Sequence, residues 1–227
     1  MNIFRRVEQK YLLTENQYNA LFKEIESKIE KDKFFRSEVC NLYLDTDNND
    51  LIIKSIEKPI YKEKVRLRSY NIPNIKDKVF LELKGKYDGV VFKRRITLKL
   101  EDFYKYLENG IKPEESQIMN EIDYVIKRNK LKPKLFLAYD RYSYYDKQDK
   151  NFRITFDTNL RSRKNDLRLE SGSYGNLYKE EKFYIMELKS LKALPLWFVE
   201  ILSKLKIYPQ SFSKYGNIYK KGMMQNV

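Results

Sequence analysis

The chain has no histidine and only one cysteine, Cys40, among its 227 residues. The absence of histidine excludes histidine-based catalytic triads, histidine metal ligands and the usual near-neutral general base. A single cysteine excludes an intrachain disulfide and a paired-cysteine zinc site, and the apolar residues around Cys40 predict a buried structural thiol. Any metal must therefore be held by carboxylates and ligand oxygens, which favours Mg²⁺ or Mn²⁺ over zinc.

Long hydrophobic runs are also missing. No apolar stretch approaches the roughly 20 residues that span a bilayer, and the charged pair Arg5 and Arg6 stands where a signal peptide would need an apolar segment. We therefore expect a soluble, cytoplasmic protein. Glycine and proline number only 7 and 6, and no stretch rich in them divides the chain. The sequence thus predicts one domain over residues 1–227.

Positive charge is abundant. Lysine and arginine number 46 against 32 acidic residues, which gives a formal net charge of +14. This excess predicts an anionic partner, such as nucleic acid, a phosphorylated metabolite, polyphosphate or an acidic membrane surface, without choosing among them. Hydrophobic residues make up 42% of the chain, so we expect a packed core despite the 34% of charged residues.

Hydrophobic periodicity predicts an α+β chain with about eight strands, a number that suits a closed barrel able to hold a ligand. The predicted strands are 3–13, 35–45, 61–70, 78–86, 89–99, 134–145, 151–157 and 182–190. Helices are predicted from a capping box at Thr14 to about Lys31, over 50–57, within 101–130, over 195–206 and from Ser213, with a loop at 159–180. Asp88 and Gly89 mark a tight hairpin turn between two of the strands.

Several predicted strands carry basic side chains on one face. Lys64, Arg66 and Arg68 alternate with apolar Val65 and Leu67, and alternate residues of a strand point to the same side. The same pattern places together the groups Arg6, Glu8 and Lys10; Glu82, Lys84 and Lys86; Lys93, Arg95 and Thr97; and Glu187 with Lys189. Such faces are either the solvated outside of a half-buried sheet or the lining of a cavity for a polyanion, with the carboxylates holding a divalent cation.

The ordered set of motifs resembles the VTC family, the polyphosphate polymerase domain of the vacuolar transporter chaperone complex. This family belongs to the triphosphate tunnel metalloenzymes, or CYTH-like superfamily. The resemblance rests on Arg6–Tyr11, Lys64–Arg68, Leu81–Lys84, Val91–Arg95, Ala138–Arg141, Arg153–Thr158, Met186–Lys189 and Ser211–Tyr215. It implies an eight-stranded antiparallel closed β-barrel, a triphosphate tunnel, with helices packed outside.

The resemblance also implies the site residues. Phosphates would be bound by Lys10, Arg66, Arg68, Lys84, Lys93, Arg95, Arg141, Arg153 and Lys214, and we add Lys189, which shares the strand face of Glu187. Of these, Arg66, Arg68, Lys84 and Lys93 are the predicted catalytic residues. Glu187 would coordinate Mn²⁺ or Mg²⁺, with Glu8 and Glu82 as further ligands.

The implied activity is transfer of the γ-phosphate of ATP to a growing polyphosphate chain. Hydrolytic members of the superfamily carry Glu-x-Glu-x-Lys on the first strand, and Arg6 here replaces the first glutamate, which favours transfer over hydrolysis. A tunnel triphosphatase and a non-catalytic polyanion-binding module remain alternatives. A general nucleic-acid-binding protein is the weakest alternative, because no recognised nucleic-acid motif is present.

Two smaller patterns allow more than one interpretation. Arg161 and Arg163 either guard the mouth of the implied tunnel or lie in a solvated loop. The cluster Tyr142–Tyr145 either stacks bases or packs in a wall, and its alternation favours packing.

Overall fold

The computed structural model describes residues 7–191 and 193–224. These residues form nine strands and six helices. In chain order they are β1 (Val7–Thr14), α1 (Glu15–Ile25), β2 (Ile29–Asp45), α2 (Asp50–Ile56), β3 (Tyr61–Tyr70), β4 (Lys78–Tyr87), β5 (Val90–Lys99), α3 (Leu100–Asn109), α4 (Gln117–Asn129), β6 (Lys132–Asp146), β7 (Arg153–Arg163), β8 (Asn176–Leu177), β9 (Phe183–Ser190), α5 (Leu196–Lys204) and α6 (Lys214–Met224).

Local sequence signals account for several of these boundaries. Thr14 caps α1 through a capping box with Gln17, as predicted. The Ser116 hydroxyl caps α4 by accepting the Met119 N–H at 3.1 Å. The turn between β4 and β5 has the left-handed φ angles of 41° at Asp88 and 81° at Gly89 that a tight hairpin needs.

Two predicted boundaries are wrong, both because distant segments pair. Helix α1 ends at Ile25 and not near Lys31, and β2 begins at Ile29, beside the backbone bond from Lys147 N–H to Lys28 O. Strand β7 continues to Arg163, so the first part of the predicted loop 159–180 is strand. The part of the first predicted strand before Val7 lies outside the described residues.

By its internal contacts the chain divides into two compact units. The first comprises the described residues of Met1–Ser37, Tyr139–Leu160 and Leu177–Ser213, and the second those of Glu38–Ala138, Arg161–Asn176 and Lys214–Val227. Strands β2, β6, β7 and β8 contribute residues to both units. The single domain over residues 1–227 stays a prediction.

In the first unit the strands follow the order β1, β9, β7, β6. One side of these strands packs Tyr11, Leu13, Phe156 and Met186 into a core with α1 and α5. The residues that alternate with them along each strand, such as Lys10 beside Tyr11, point to the opposite side. The cluster Tyr142–Tyr145 is expected either to stack bases or to pack in a wall. Packing is supported, because Tyr144 is buried in the same core.

In the second unit the order is β6, β2, β3, β4, β5. Val65, Leu67 and Leu81 are fully buried in a core that α3 and α4 complete. Cys40 lies in this core, and burial raises the pKa of its thiol to about 12, so it is the inert structural cysteine that the sequence predicts.

The α+β class and the antiparallel pairing of the strands are confirmed, with nine strands because the two-residue β8 pairs with β7. Within the described residues the pairings have β1 and β5 as terminal strands, so they do not themselves show closure of the barrel. None of the described helices is long and apolar enough to cross a membrane.

Candidate functional site

Three neighbouring strands of the second unit present a basic face. The ladders of β3, β4 and β5 place residues directly opposite one another in rows. Successive rows are Arg68, Phe80 and Thr97; Arg66, Glu82 and Arg95; Lys64, Lys84 and Lys93; and Lys62, Lys86 and Val91. We call this surface the β3–β5 face. It carries eight cationic side chains and one carboxylate, an imbalance that an anionic ligand would relieve.

The carboxylate of Glu82 holds three of the cations in place. Its Oε2 accepts from Arg66 Nε and Nη2 at 2.8 and 2.7 Å. Its Oε1 accepts from Lys93 Nζ at 2.7 Å and from Arg95 Nε at 2.6 Å. Burial alone would raise the pKa of this carboxyl, but the charges of Arg66, Arg68 and Lys93 outweigh it and hold the pKa well below its usual range. Glu82 therefore stays ionised and orients cations from the two neighbouring strands, β3 and β5.

The next row consists of lysines alone. Lys64, Lys84 and Lys93 lie directly opposite one another on β3, β4 and β5. Like charges at directly opposed positions repel, so the row favours a negatively charged ligand. Burial lowers the pKa of Lys93, and the charges of Arg95 and Arg68 lower it further against the opposing effect of Glu82.

Tyr43 of β2 supports Arg66 from the side away from Glu82. Its hydroxyl accepts from Arg66 Nη1 at 3.1 Å, and its ring lies 4.6 Å from the ring of Tyr215 in α6. Burial opposes ionisation of Tyr43, but the charges of Arg66, Lys64 and Arg68 prevail and lower its pKa to about 8. The shift reports a strongly positive potential at this end of the face.

Arg68 and Lys214, the remaining predicted phosphate-binding residues of this unit, occupy different surroundings. Arg68 is buried, and its Nε donates to Asn41 Oδ1 at 2.9 Å. Lys214 is the first residue of α6 and precedes Tyr215, whose hydroxyl donates to Asp45 at 2.9 Å. The start of α6 is thus tied to the strand that carries Asn41 and Tyr43.

The first unit has a second charged face on β1, β9 and β7. Glu8 lies opposite Lys189, which in turn lies opposite Arg153, and Lys10 lies opposite Glu187 in the adjacent row. Lys189 Nζ is 2.6 Å from Glu187, and Lys10 Nζ is 3.5 Å from Glu8. We call this surface the β1–β9 face. Its charges alternate in sign, unlike those of the β3–β5 face.

Two arginines border the β1–β9 face. Arg141 donates Nε and Nη2 to the two oxygens of the fully buried Asp157 at 2.7 and 2.8 Å. Burial opposes the charged guanidinium, but Asp157 and Tyr139 outweigh it and raise the pKa of Arg141. Arg153 donates Nη2 to Asp32 at 2.7 Å, whereas its Nε is buried with no hydrogen-bond partner within residues 7–191 and 193–224. A buried donor without a partner fits a bound anion.

The predicted metal ligands differ in how well they suit a divalent cation. Glu8 and Glu187 are carboxylates of the β1–β9 face, and Mg²⁺ is commonly bound by one or two carboxylates together with substrate phosphates. This donor set fits a metal that takes its other ligands from a phosphate chain. Glu82 fits less well, because its oxygens are occupied by three cations. Among the described residues no three histidine, cysteine, aspartate or glutamate side chains form a ready-made metal site.

The interpretation of Arg161 and Arg163 as residues of a solvated loop is wrong, because both lie in β7. Arg163 is buried, with its guanidinium 3.6 Å from the Phe136 ring and 4.3 Å from the Tyr174 ring. It donates to the backbone carbonyls of Asp166, Arg168, Gly172 and Tyr174. Arg161 binds Glu38 and the carbonyl of Ser173. Both arginines therefore order the segment after β7.

Sequence reasoning missed the residues that orient the cations. Asn41 and Tyr43 lie within an apolar run of β2. Their spacing of two residues was the only sequence signal that both side chains face one side of the strand. Asp157 and Asp32 are the partners of Arg141 and Arg153. Arg6, which replaces the first glutamate of the hydrolytic pattern, lies outside the described residues.

Comparison with solved structures shows that this fold recurs. A candidate adenylate cyclase from Bacillus halodurans is 18% identical, with a TM-score of 0.59 over 92% of this chain and 93% of that chain. A candidate adenylate cyclase from Vibrio parahaemolyticus is 13% identical, with a TM-score of 0.53 over 94% and 97%. A Pyrococcus horikoshii protein is 18% identical, with a TM-score of 0.50 over 95% and 99%. At these identities the likeness concerns the fold alone.

Comparison of the sequence itself gives a family. No curated protein matches the chain. The family model described as VTC domain matches residues 5–222, which is nearly the whole chain and includes every predicted site residue. The chain therefore belongs to the VTC domain family.

Proposed function

We propose that the chain is a polyphosphate polymerase-type phosphotransferase, which moves the γ-phosphate of ATP onto a polyphosphate chain with Mn²⁺ or Mg²⁺. Membership of the VTC domain family supports this activity. The observation that carries the proposal is the β3–β5 face, where eight cations accompany one carboxylate on three adjacent strands. Such a concentration of positive charge suits a ligand with a negative charge on every phosphate.

On the β3–β5 face, the proposed catalytic residues are Arg66, Arg68, Lys84 and Lys93. Glu82 orients the guanidinium of Arg66 and the ammonium of Lys93, so these groups need little reorganisation when a phosphate arrives. Phosphoryl transfer requires positioning and neutralisation of charge more than a covalent nucleophile. The absence of histidine is consistent with that chemistry.

On the β1–β9 face, the proposed phosphate ligands are Lys10, Lys189, Arg153 and Arg141. The buried Nε of Arg153 would donate to a phosphate oxygen, while Asp157 keeps the Arg141 guanidinium charged and fixed. Glu187, with Glu8, would hold the divalent cation. A bound Mg²⁺ or Mn²⁺ would supply further neutralisation of phosphate charge. Arg95 and Lys214 complete the proposed phosphate-binding set.

Product analysis tests the proposed function. The purified chain is incubated with ATP and either Mn²⁺ or Mg²⁺, and the products are separated on a polyphosphate gel. Chains of phosphate together with ADP would support the polymerase. Free phosphate without chains would instead indicate a tunnel triphosphatase, and tight polyphosphate binding without turnover would indicate a binding module.

A matched pair of variants tests whether the β3–β5 face is required for turnover of ATP. Lys93→Gln removes a cation that contacts Glu82, whereas Lys99→Gln removes an exposed cation from the same strand and the same side. We expect Lys93→Gln to lose at least about tenfold in turnover, because a charge-assisted contact contributes about 1.5–3 kcal/mol. Lys99→Gln should keep wild-type turnover. Equal activities of the two variants would exclude Lys93 from the reaction.

A further inference from the structure

The cations of the β3–β5 face continue beyond the predicted site residues. In the row next to Lys64, Lys84 and Lys93, Lys62 lies directly opposite Lys86. Both side chains share the side of the strands that carries Arg66. Lys58, in the segment before β3, contributes a third charge close to Lys62. We call Lys58, Lys62 and Lys86 the outer lysine cluster.

These lysines affect one another. Burial lowers the pKa of Lys62, and the charges of Lys86 and Lys58 lower it further. The Lys62 ammonium donates to the carbonyl of Ser55 at 3.3 Å, at the C-terminal end of α2. Lys58 and Lys86 are exposed. The cluster therefore concentrates positive charge at an accessible position, and an anion bound there would relieve the repulsion.

The cations of the β3–β5 face are more densely placed in one direction from Glu82. Towards the outer lysine cluster, every row from Arg66 to Lys62 contains at least two cations. In the other direction the next row holds a single cation, Arg68, beside Phe80 and Thr97, and Arg68 also donates to Asn41. A further pair of lysines, Lys78 and Lys99, lies beyond this row. A chain of phosphates thus meets at least two cations in every row only towards Lys62.

Distance separates the outer lysine cluster from the phosphates nearest Glu82. Lys62 lies four positions before Arg66 on β3, which corresponds to about 13 Å along the strand. We expect a triphosphate bound at the Arg66 and Arg95 row to reach the adjacent lysine row and to end before Lys62. Only a longer chain occupies both positions at once.

We propose that the outer lysine cluster is a subsite for inorganic polyphosphate longer than three phosphates, so that it gives the protein a preference for chain length. The proposal rests on the proposed function for the identity of the ligand as a phosphate chain. It assigns a role to Lys58, Lys62 and Lys86 that is separate from contact with the nucleotide. The subsite holds the part of the chain that extends away from Glu82.

Equilibrium binding tests the subsite without requiring turnover. Affinities for tripolyphosphate and for an inorganic polyphosphate several times longer are measured with the wild-type chain, with Lys62→Gln/Lys86→Gln and with Lys78→Gln/Lys99→Gln. The two double variants each remove two positive charges from the same side of the β3–β5 strands, at opposite ends. All substituted side chains are at least partly exposed, and thermal unfolding checks that each variant folds.

We expect the wild-type chain to bind the longer polyphosphate more tightly per molecule than tripolyphosphate. Lys62→Gln/Lys86→Gln should weaken binding of the longer chain by about 5- to 30-fold and leave tripolyphosphate within about twofold. For the longer chain, a plot of the logarithm of affinity against the logarithm of salt concentration should be less steep for Lys62→Gln/Lys86→Gln than for the wild type. The slope should decrease by about one for each lost contact. Lys78→Gln/Lys99→Gln should affect both ligands little.

Three results would overturn the subsite. One is an unchanged affinity of Lys62→Gln/Lys86→Gln for the longer chain, and another is an equal loss of affinity for both ligands. The third is an equal effect of Lys78→Gln/Lys99→Gln, which would attribute binding to net charge alone. A wild-type chain that binds polyphosphate in this pattern but makes none from ATP would contradict the proposed function and leave the subsite supported.

Discussion

Arg66 and Glu82 lie directly opposite each other on β3 and β4, and both Nε and Nη2 of Arg66 donate to the same carboxylate oxygen. Because Lys93 and Arg95 bind the other oxygen, one buried carboxylate compensates the charge of cations from β3 and β5. Glu82 therefore fixes the positions of three basic side chains of the β3–β5 face, namely Arg66, Lys93 and Arg95.

Replacing Glu82 by glutamine should destabilise the chain. The substitution leaves the cations around it without a buried counter-charge, which costs about 3 kcal/mol in the free energy of unfolding. Denaturant unfolding measures this loss. Glu121→Gln is the matched control, since Glu121 binds Arg94 at 2.6 Å from a half-exposed position on the other side of β5. The control should cost less than about 1 kcal/mol, and equal losses would contradict the role given to Glu82.

The stabilising effect of Glu82 should depend on pH with a definite sign. The pKa of Glu82 lies well below its ordinary value of 4.5. Its contribution is therefore complete above pH 4.5 and is lost as the pH falls towards the lower pKa of the folded state. The difference in unfolding free energy between wild type and Glu82→Gln should shrink as the pH falls from about 7 to about 3. A difference that grows on acidification would contradict the assignment.

Tyr43 should report occupancy of the face. Its pKa is lowered from 10.0 to about 8, so the ionised phenol adds stability that is complete above pH 10 and is lost as the pH falls through about 8. The ultraviolet absorbance of tyrosinate should show one group titrating near pH 8, and Tyr43→Phe should lack it. Bound tripolyphosphate should raise this pKa, because it offsets the charge of Arg66. A midpoint that tripolyphosphate leaves unchanged would argue against phosphate binding beside Arg66.

Arg163 should be essential for order in the segment after β7. Its guanidinium packs on Phe136 and Tyr174 and donates to four backbone carbonyls. Arg163→Ala leaves these carbonyls without their donor and removes a buried guanidinium from the two rings, which should cost about 3 kcal/mol in unfolding free energy. Arg168→Ala, which removes a half-exposed arginine from the same segment, should cost less than about 1 kcal/mol. Limited proteolysis should find new cleavage at residues 164–176 only in Arg163→Ala.

The sequence was most informative where the signal is local. Alternation with period two predicted β3 and the side chains that share its basic side, because Val65 and Leu67 must be buried opposite Arg66. The support from Tyr43 could not be predicted, since it depends on the register between β2 and β3 and on contact with α6. The end of α1 was misplaced for the same reason, because pairing across a long sequence separation determines where β2 begins.

Phosphorus NMR tests directly whether the chain transfers phosphate from ATP to a phosphate chain, because it follows every phosphate species in one sample. The wild-type chain is incubated with ATP and Mg²⁺, and spectra are recorded over time. We expect the signals of ADP and of phosphates inside a chain to grow together at the expense of ATP. Growth of orthophosphate with ADP and without an internal-chain signal would exclude the polymerase, as would an unchanged spectrum with both Mg²⁺ and Mn²⁺.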